Sequence, residues 1–169
     1  RDEFEPVANF LIDKRGSLNP FFVSLPNHLT TRNSTFNTHT ASNTIEANAA
    51  TAAGQTSIMM KGFSGTDYNN SPKPGDIFNM NNGDPTHTKV YKVTKVETND
   101  KYMDQNKQPT TTQRLVHFIP PLTKAISVND DINFNNPKIR VVLSNDNFSY
   151  DLSQQNLYSF NLDLEEAHA

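Results

Sequence analysis

Lys89-Val90-Tyr91-Lys92-Val93-Thr94-Lys95-Val96 is the stretch whose reading decides the fold. It is rich in β-branched and aromatic residues, which suit a pleated, half-buried surface, so it predicts a strand. A polar excursion opens at Asn99-Asp100-Lys101, and the chain returns as Leu115-Val116-His117-Phe118-Ile119, a second β-rich run. The two runs are expected to pair as antiparallel neighbours. Pro120-Pro121-Leu122 ends the second, because proline lacks the amide that a central ladder needs.

Working outward, the same grammar repeats. Thr56-Ser57-Ile58-Met59-Met60-Lys61 reads as a strand, and Pro74-Gly75 turns the chain into another at Asp76-Ile77-Phe78-Asn79-Met80. Asn81-Asn82-Gly83-Asp84 carries a strong hairpin-turn signal. After a polar turn at Asn129-Asp130-Asp131, Ile139-Arg140-Val141-Val142-Leu143 forms a further strand. Near the end, Tyr158, Phe160, Leu162 and Leu164 alternate with Ser159, Asn161, Asp163 and Glu165, a period of two that predicts one buried and one wet face. Towards the start, Phe21-Phe22-Val23-Ser24-Leu25 is a short buried strand closed by Pro26. Phe4, Val7, Phe10 and Leu11 recur at helical spacing, with Pro6 in the first turn and Gly16 as a stop, which predicts a helix over 4–14.

From His28 to Ala53 the composition turns to Thr, Asn, Ser and Ala, and Phe36 and Ile45 are the only sizeable apolar anchors. This stretch reads as a long extended arm. Ordering it costs about 1–2 kcal/mol per residue, while two anchors recover only about 1.5–3 kcal/mol each, so the rest must come from a partner or from docking on the body. The expected fold is therefore mainly β, an antiparallel barrel or sandwich with one short N-terminal helix and a long polar arm. The expected organisation is 1–27 as helix plus strand, 28–53 as arm or linker, and 54–169 as the β body. The chain begins with Arg1 rather than Met, so its N-terminus is treated as a cut edge.

Composition limits the chemistry. Hydrophobic residues make up 34% and charged residues 20% of 169 residues, so uncharged polar side chains carry the polarity, which is not the charge-rich signature of disorder. A net charge of −3 gives no drive towards phosphate backbones, so nucleic acid is not an expected partner. No run of 18 apolar residues predicts a membrane-spanning helix. The absence of Cys removes disulfides, thiolate nucleophiles and Cys-based metal sites. His28, His39, His87, His117 and His168 include no pair at the spacing that puts two ligands on one helix face. The loops 76–84 and 130–136 fail the EF-hand spacing, leaving only a looser calcium site at Asp130 and Asp131, against which stands an Asx-rich turn. Glu165 and Glu166 are consecutive and point to opposite faces of a strand, so they cannot flank a glycosidic bond together. No nucleophile elbow or phosphate-binding glycine loop occurs. No catalytic, cofactor or metal residue is assigned.

Tyrosines could stack on sugar rings. Tyr91 and Tyr158 sit inside strand patterns, whereas Tyr68 and Tyr102 lie in polar loops and are the better surface candidates. With the arm's Phe36 and Ile45 they form the set of possible contact residues.

One ordered series of motifs resembles a known family. It runs through Phe10-Leu11 with Arg15-Gly16, Phe21-Phe22 to Leu25-Pro26, Gly54-Gln55-Thr56 with Lys61-Gly62, and Pro74-Gly75-Asp76-Ile77-Phe78. It continues with Tyr91-Lys92-Val93-Thr94, Pro120-Pro121-Leu122, and Leu157-Tyr158-Ser159-Phe160 to Glu165-Glu166-Ala167. Taken in order, these are similar to a β-barrel module of bacteriophage tail and baseplate proteins, organised like distal tail proteins. The resemblance implies a virion component of the phage tail that is not an enzyme, needs no cofactor, contacts other tail or baseplate proteins and forms a homo-oligomer around a symmetry axis. A carbohydrate- or receptor-binding module on a phage particle, and a capsid decoration or head-completion protein, stand as alternatives. The 28–53 stretch is longer and more polar than the family pattern, and the N-terminal strands that usually precede the helix are missing.

Overall fold

The computed structural model describes residues 4–65, 68–80, 87–99, 109–144, 150–152, 158–160 and 162–167. For Phe4, 150–152 and 158–160 only the backbone is described. Along the chain come helix α1 (Phe4–Lys14), β1 (Phe21–Ser24), helix α2 (Ser34–Thr40), β2 (Ile45–Ala47), β3 (Ser57–Lys61) and β4 (Ile77–Met80). They are followed by β5 (Val90–Glu97), β6 (Gln113–Ile119), β7 (Asp131–Asn133), β8 (Lys138–Leu143), β9 (Tyr150–Leu152), β10 (Tyr158–Phe160) and β11 (Leu164–Glu166). Short 3-10 turns occupy Pro26–His28 and Tyr68–Asn70. The chain divides into two compact units, Ser24–Lys138 and the pair of end segments Arg1–Val23 with Ile139–His168. These boundaries differ from the expected division at 27 and 53, because the two ends of the chain share one sheet.

The central unit is a closed antiparallel barrel in the order β2-β3-β6-β5-β4-β7. The pairing of β5 with β6 expected from sequence is present, with Val93 opposite Phe118 and Val96 opposite Val116. Between Val93 and Lys95 the register slips by one residue. That bulge leaves both Thr94 and Lys95 outside and returns Val96 to the interior, where strict alternation would have buried a lysine. The interior is filled by rings: Phe78 lies 5.2 Å from Phe134 and 5.5 Å from Phe118, and Tyr91 lies 5.2 Å from Phe118. A small six-stranded barrel packed this way is a core and not a channel.

The 28–53 stretch is not an extended arm. Asn33 caps α2, its Oδ1 accepting from the amides of Thr35 at 3.2 Å and Phe36 at 3.4 Å. Its own amide group donates to the carbonyls of Asn69 at 2.5 Å and Ser71 at 2.8 Å, which ties the cap to the barrel loops. Phe36 is 0% exposed, stacked on Phe63 and edge-on to Phe134. Five residues after α2 ends, β2 enters the barrel wall between β3 and β7. The ordering entropy of this polar stretch is thus offset by docking on the body, through backbone ladders and buried caps in addition to apolar anchors.

The second unit sets α1 on a three-stranded sheet, β1-β8-β11, and also contains the antiparallel pair β9-β10. α1 spans the residues the periodicity predicts, and Arg15 and Gly16 at φ 50 and 63 end it. Its inner face buries Leu11 against Phe21, Val141 and Leu143. The closing run expected as one strand over 158–164 is divided: β10 pairs with β9, and β11 pairs with β8, with Leu164 opposite Leu143. The side chains of 158–161 and the Asn82-Gly83 turn lie outside the described residues.

Candidate functional site

Phe36, Ile45 and Tyr68, the expected contact residues that are described, do not form a shared surface. Phe36 and Ile45 are core residues of the barrel, 0% and 2% exposed, because the helix and strand that carry them turn those side chains inward. Tyr68 opens the 3-10 turn and packs against the same core as a half-buried ring, so it offers no free stacking platform. Tyr102 lies outside the described residues. Asp130, the centre of the loose calcium reading, spends its carboxylate on the amide of Ser127 at 2.7 Å, closing its own turn. Among the described residues no three His, Asp or Glu side chains come together as a metal site, and no helix is long and apolar enough to cross a membrane.

The outer face of β3-β6-β5 carries a row of polar groups. Ser57 stands opposite His117, and His117 opposite Lys95. Glu97 Oε1 accepts from Lys95 Nζ at 2.5 Å and His117 Nε2 at 2.9 Å. Burial pushes the Glu97 carboxyl up, but the two hydrogen bonds and the charges behind them outweigh it and hold the group below the ordinary carboxylate value. Although Ser57, His117 and Glu97 follow one another in space, Ser57 makes no side-chain hydrogen bond among the described residues, so no activated nucleophile is formed. The row acts as a clamp across the β5–β6 joint.

A depressed carboxyl pKa contributes stability that is present above the unfolded value and lost as pH falls through the folded one. Glu97→Gln is therefore expected to lower stability by about 1–2 kcal/mol at neutral pH, the modest size reflecting the solvent around Lys95. The gap between wild type and variant should close as pH drops below the carboxylate range. Urea titrations at neutral and acid pH check this, and a gap that stays constant with pH would remove the charged clamp.

Surface apolar residues mark a different region. In the unit formed by the chain ends, Phe22 is 56% exposed, Ile12 64% and Phe10 45%. Their exposure follows from geometry. Adjacent strand residues face opposite ways, so Phe21 enters the α1 side while Phe22 cannot. Three consecutive apolar residues, Phe10-Leu11-Ile12, sweep well over half a helix turn, so they cannot all meet one sheet. The sequence carries both signals, and the expectation of a buried strand holds for Phe21 but not for Phe22. Phe10 packs edge-on against Phe21 at 5.4 Å with Lys14 Nζ 4.6 Å from its ring centroid, which fixes the ring without hiding it. Among the described residues β1 and β11 each have a strand on one side only. The unit thus combines two open strand edges with exposed large apolar side chains.

No family model matches the chain, and no curated protein matches it.

Proposed function

We propose that this chain is a structural module of a bacteriophage tail or baseplate that works through protein–protein contacts and performs no catalysis. The observation that carries the reading is the three-stranded sheet of the end-segment unit, which among the described residues is open at β1 and β11 and carries Phe22 at 56% exposure. Open edges invite pairing with a neighbour unless they are covered. A sheet with two unlike edges lends itself to heterologous contacts, in which one edge meets the other edge of the next copy and the series closes into a ring. The ordered motif series similar to phage tail modules supplies the setting, and the mainly β barrel agrees with it.

The experiment is sedimentation of the full chain over a wide concentration range, alone and as the Phe22→Asp variant, followed by imaging of the labelled chain on tails. The expected result is concentration-dependent growth to a closed oligomer, abolished by Phe22→Asp with circular dichroism unchanged, and incorporation at one level of the tail. A chain that stays monomeric at every concentration and is never taken up into particles would sink the reading.

A further inference from the structure

We propose that the splayed end of the β2–β7 seam is a binding site for a single neutral sugar ring, an inference that stands apart from the assembly reading. β2 and β7 pair only through Ile45 with Ile132 and Glu46 with Asp131. Beyond these pairs the strands diverge, β2 back into the end of α2 and β7 forward into the Phe134-Asn135-Asn136 turn, leaving a cavity of about 200 Å³. Drug-sized pockets run to about 300–1,000 Å³, so the occupant is small or is the tip of something larger.

The lining selects its chemistry. Ile45, Ile132 and Phe134 bound it only at their edges, since their side chains are buried in the barrel core, while Asn43, Thr44 and Asp131 supply polar groups. Among the described residues the Asp131 carboxylate, the Thr44 hydroxyl and the Asn135 side-chain amide make no hydrogen bond. Asn43 commits its amide nitrogen to the His39 carbonyl at 3.0 Å, which leaves its Oδ1 as an acceptor. Acceptors therefore outnumber donors, as suits a ligand presenting several hydroxyl protons. No Lys, Arg or His lines the cavity, so phosphates and carboxylates have no partner there. One carboxylate is too few for a well-held calcium ion.

The wall is also held before any ligand arrives. His39 Nδ1 accepts from Asn43 at 3.4 Å, so its Nε2 carries the proton and donates to Gly62 O at 2.6 Å. Gly62, at φ +95, passes so close to Thr44 that a Cβ there would sit 2.4 Å from the Thr44 carbonyl oxygen. Asn133 is spent on structure, its amide bonding Asn79 at 3.1 Å and its oxygen accepting from the Asn135 amide nitrogen of the backbone at 3.0 Å. A site whose walls are fixed by their own hydrogen bonds loses little entropy on binding, which is how a small ligand is held at all.

The test is saturation-transfer NMR on the full chain with glucose, galactose, mannose and N-acetylglucosamine, repeated with Asp131→Asn and Thr44→Val and with a chelator present. The expected result is saturable binding of at least one sugar, unaffected by chelator and weakened at least about tenfold by Asp131→Asn, the size of one hydrogen bond to a charged acceptor. The variant's melting temperature should hold, since the Asp131 side chain makes no hydrogen bond or ion pair among the described residues. Binding of none of the four sugars overturns the proposal. So does binding that both variants leave intact, which would lie elsewhere, or binding that the chelator abolishes, which would belong to a metal ion.

Discussion

Replacing Phe36 with alanine is expected to cost about 3–5 kcal/mol of stability, the range for removing a fully buried phenylalanine. Phe36 has no exposed surface and meets Phe63 at 5.6 Å and Phe134 at 5.3 Å between ring centroids, so the loss combines transfer free energy with an unfilled cavity. It also removes the buried side chain by which α2 packs on the barrel, in a helix whose Ser, Thr, Asn and His have a weak intrinsic preference for helix. Thr38→Ala on the exposed side of the same helix should change stability by no more than about 0.5 kcal/mol. Urea denaturation of the three proteins reads the difference directly. Hydrogen exchange should show the 34–47 backbone losing protection in Phe36→Ala. If Phe36→Ala unfolds at the same midpoint as wild type, the 28–53 stretch is an accessory after all.

That stretch shows where sequence reading succeeded and where it failed. α1 and the β5–β6 pairing were legible because their signals are local: apolar spacing and stop residues in one case, β-rich runs bounded by polar excursion and proline in the other. α2 was not, because its stability is bought by long-range contacts. Asn33 looks like any loop asparagine until its amide reaches the carbonyls of Asn69 and Ser71, 36 and 38 residues away in sequence. Composition suggested an arm, while a single capping residue three positions before a single phenylalanine carried the opposite meaning. The closing run misled in the other direction. Its alternation is real, but a period of two says only which residues share a face and nothing about which sheet they join, and 158–160 and 164–166 join different ones. Phe36 and Ile45 escape a local reading for the same reason: the core they face is built by strands distant in sequence.

Arg114→Met is expected to be as damaging, at about 3–5 kcal/mol, although methionine fills much of the same volume. Arg114 sits in phase with Val116 and Phe118, which face the barrel interior, and it is 0% exposed. Among the described residues its guanidinium reaches four acceptors: Nε donates to Ser71 Oγ at 2.7 Å, Nη1 to the carbonyls of Thr111 at 3.0 Å and Gln113 at 2.8 Å, and Nη2 to Gly65 O at 2.8 Å. The plane also lies 5.0 Å from the centroid of Phe63, the ring that stacks on Phe36. One side chain therefore fastens Gly65 and Ser71 to β6 and supports Phe63, on which α2 packs. Methionine would keep the apolar stem and strand every one of those acceptors, each costing about 1–3 kcal/mol where water cannot reach it. Arg114→Lys should fall between wild type and methionine, because an ammonium on a flexible stem has three donors in a compact cluster and cannot span acceptors arranged around a fork. Calorimetry or urea denaturation of the two variants gives the order. A methionine variant within about 1 kcal/mol of wild type would mean that water already satisfies these carbonyls and that Phe63 is held by packing alone.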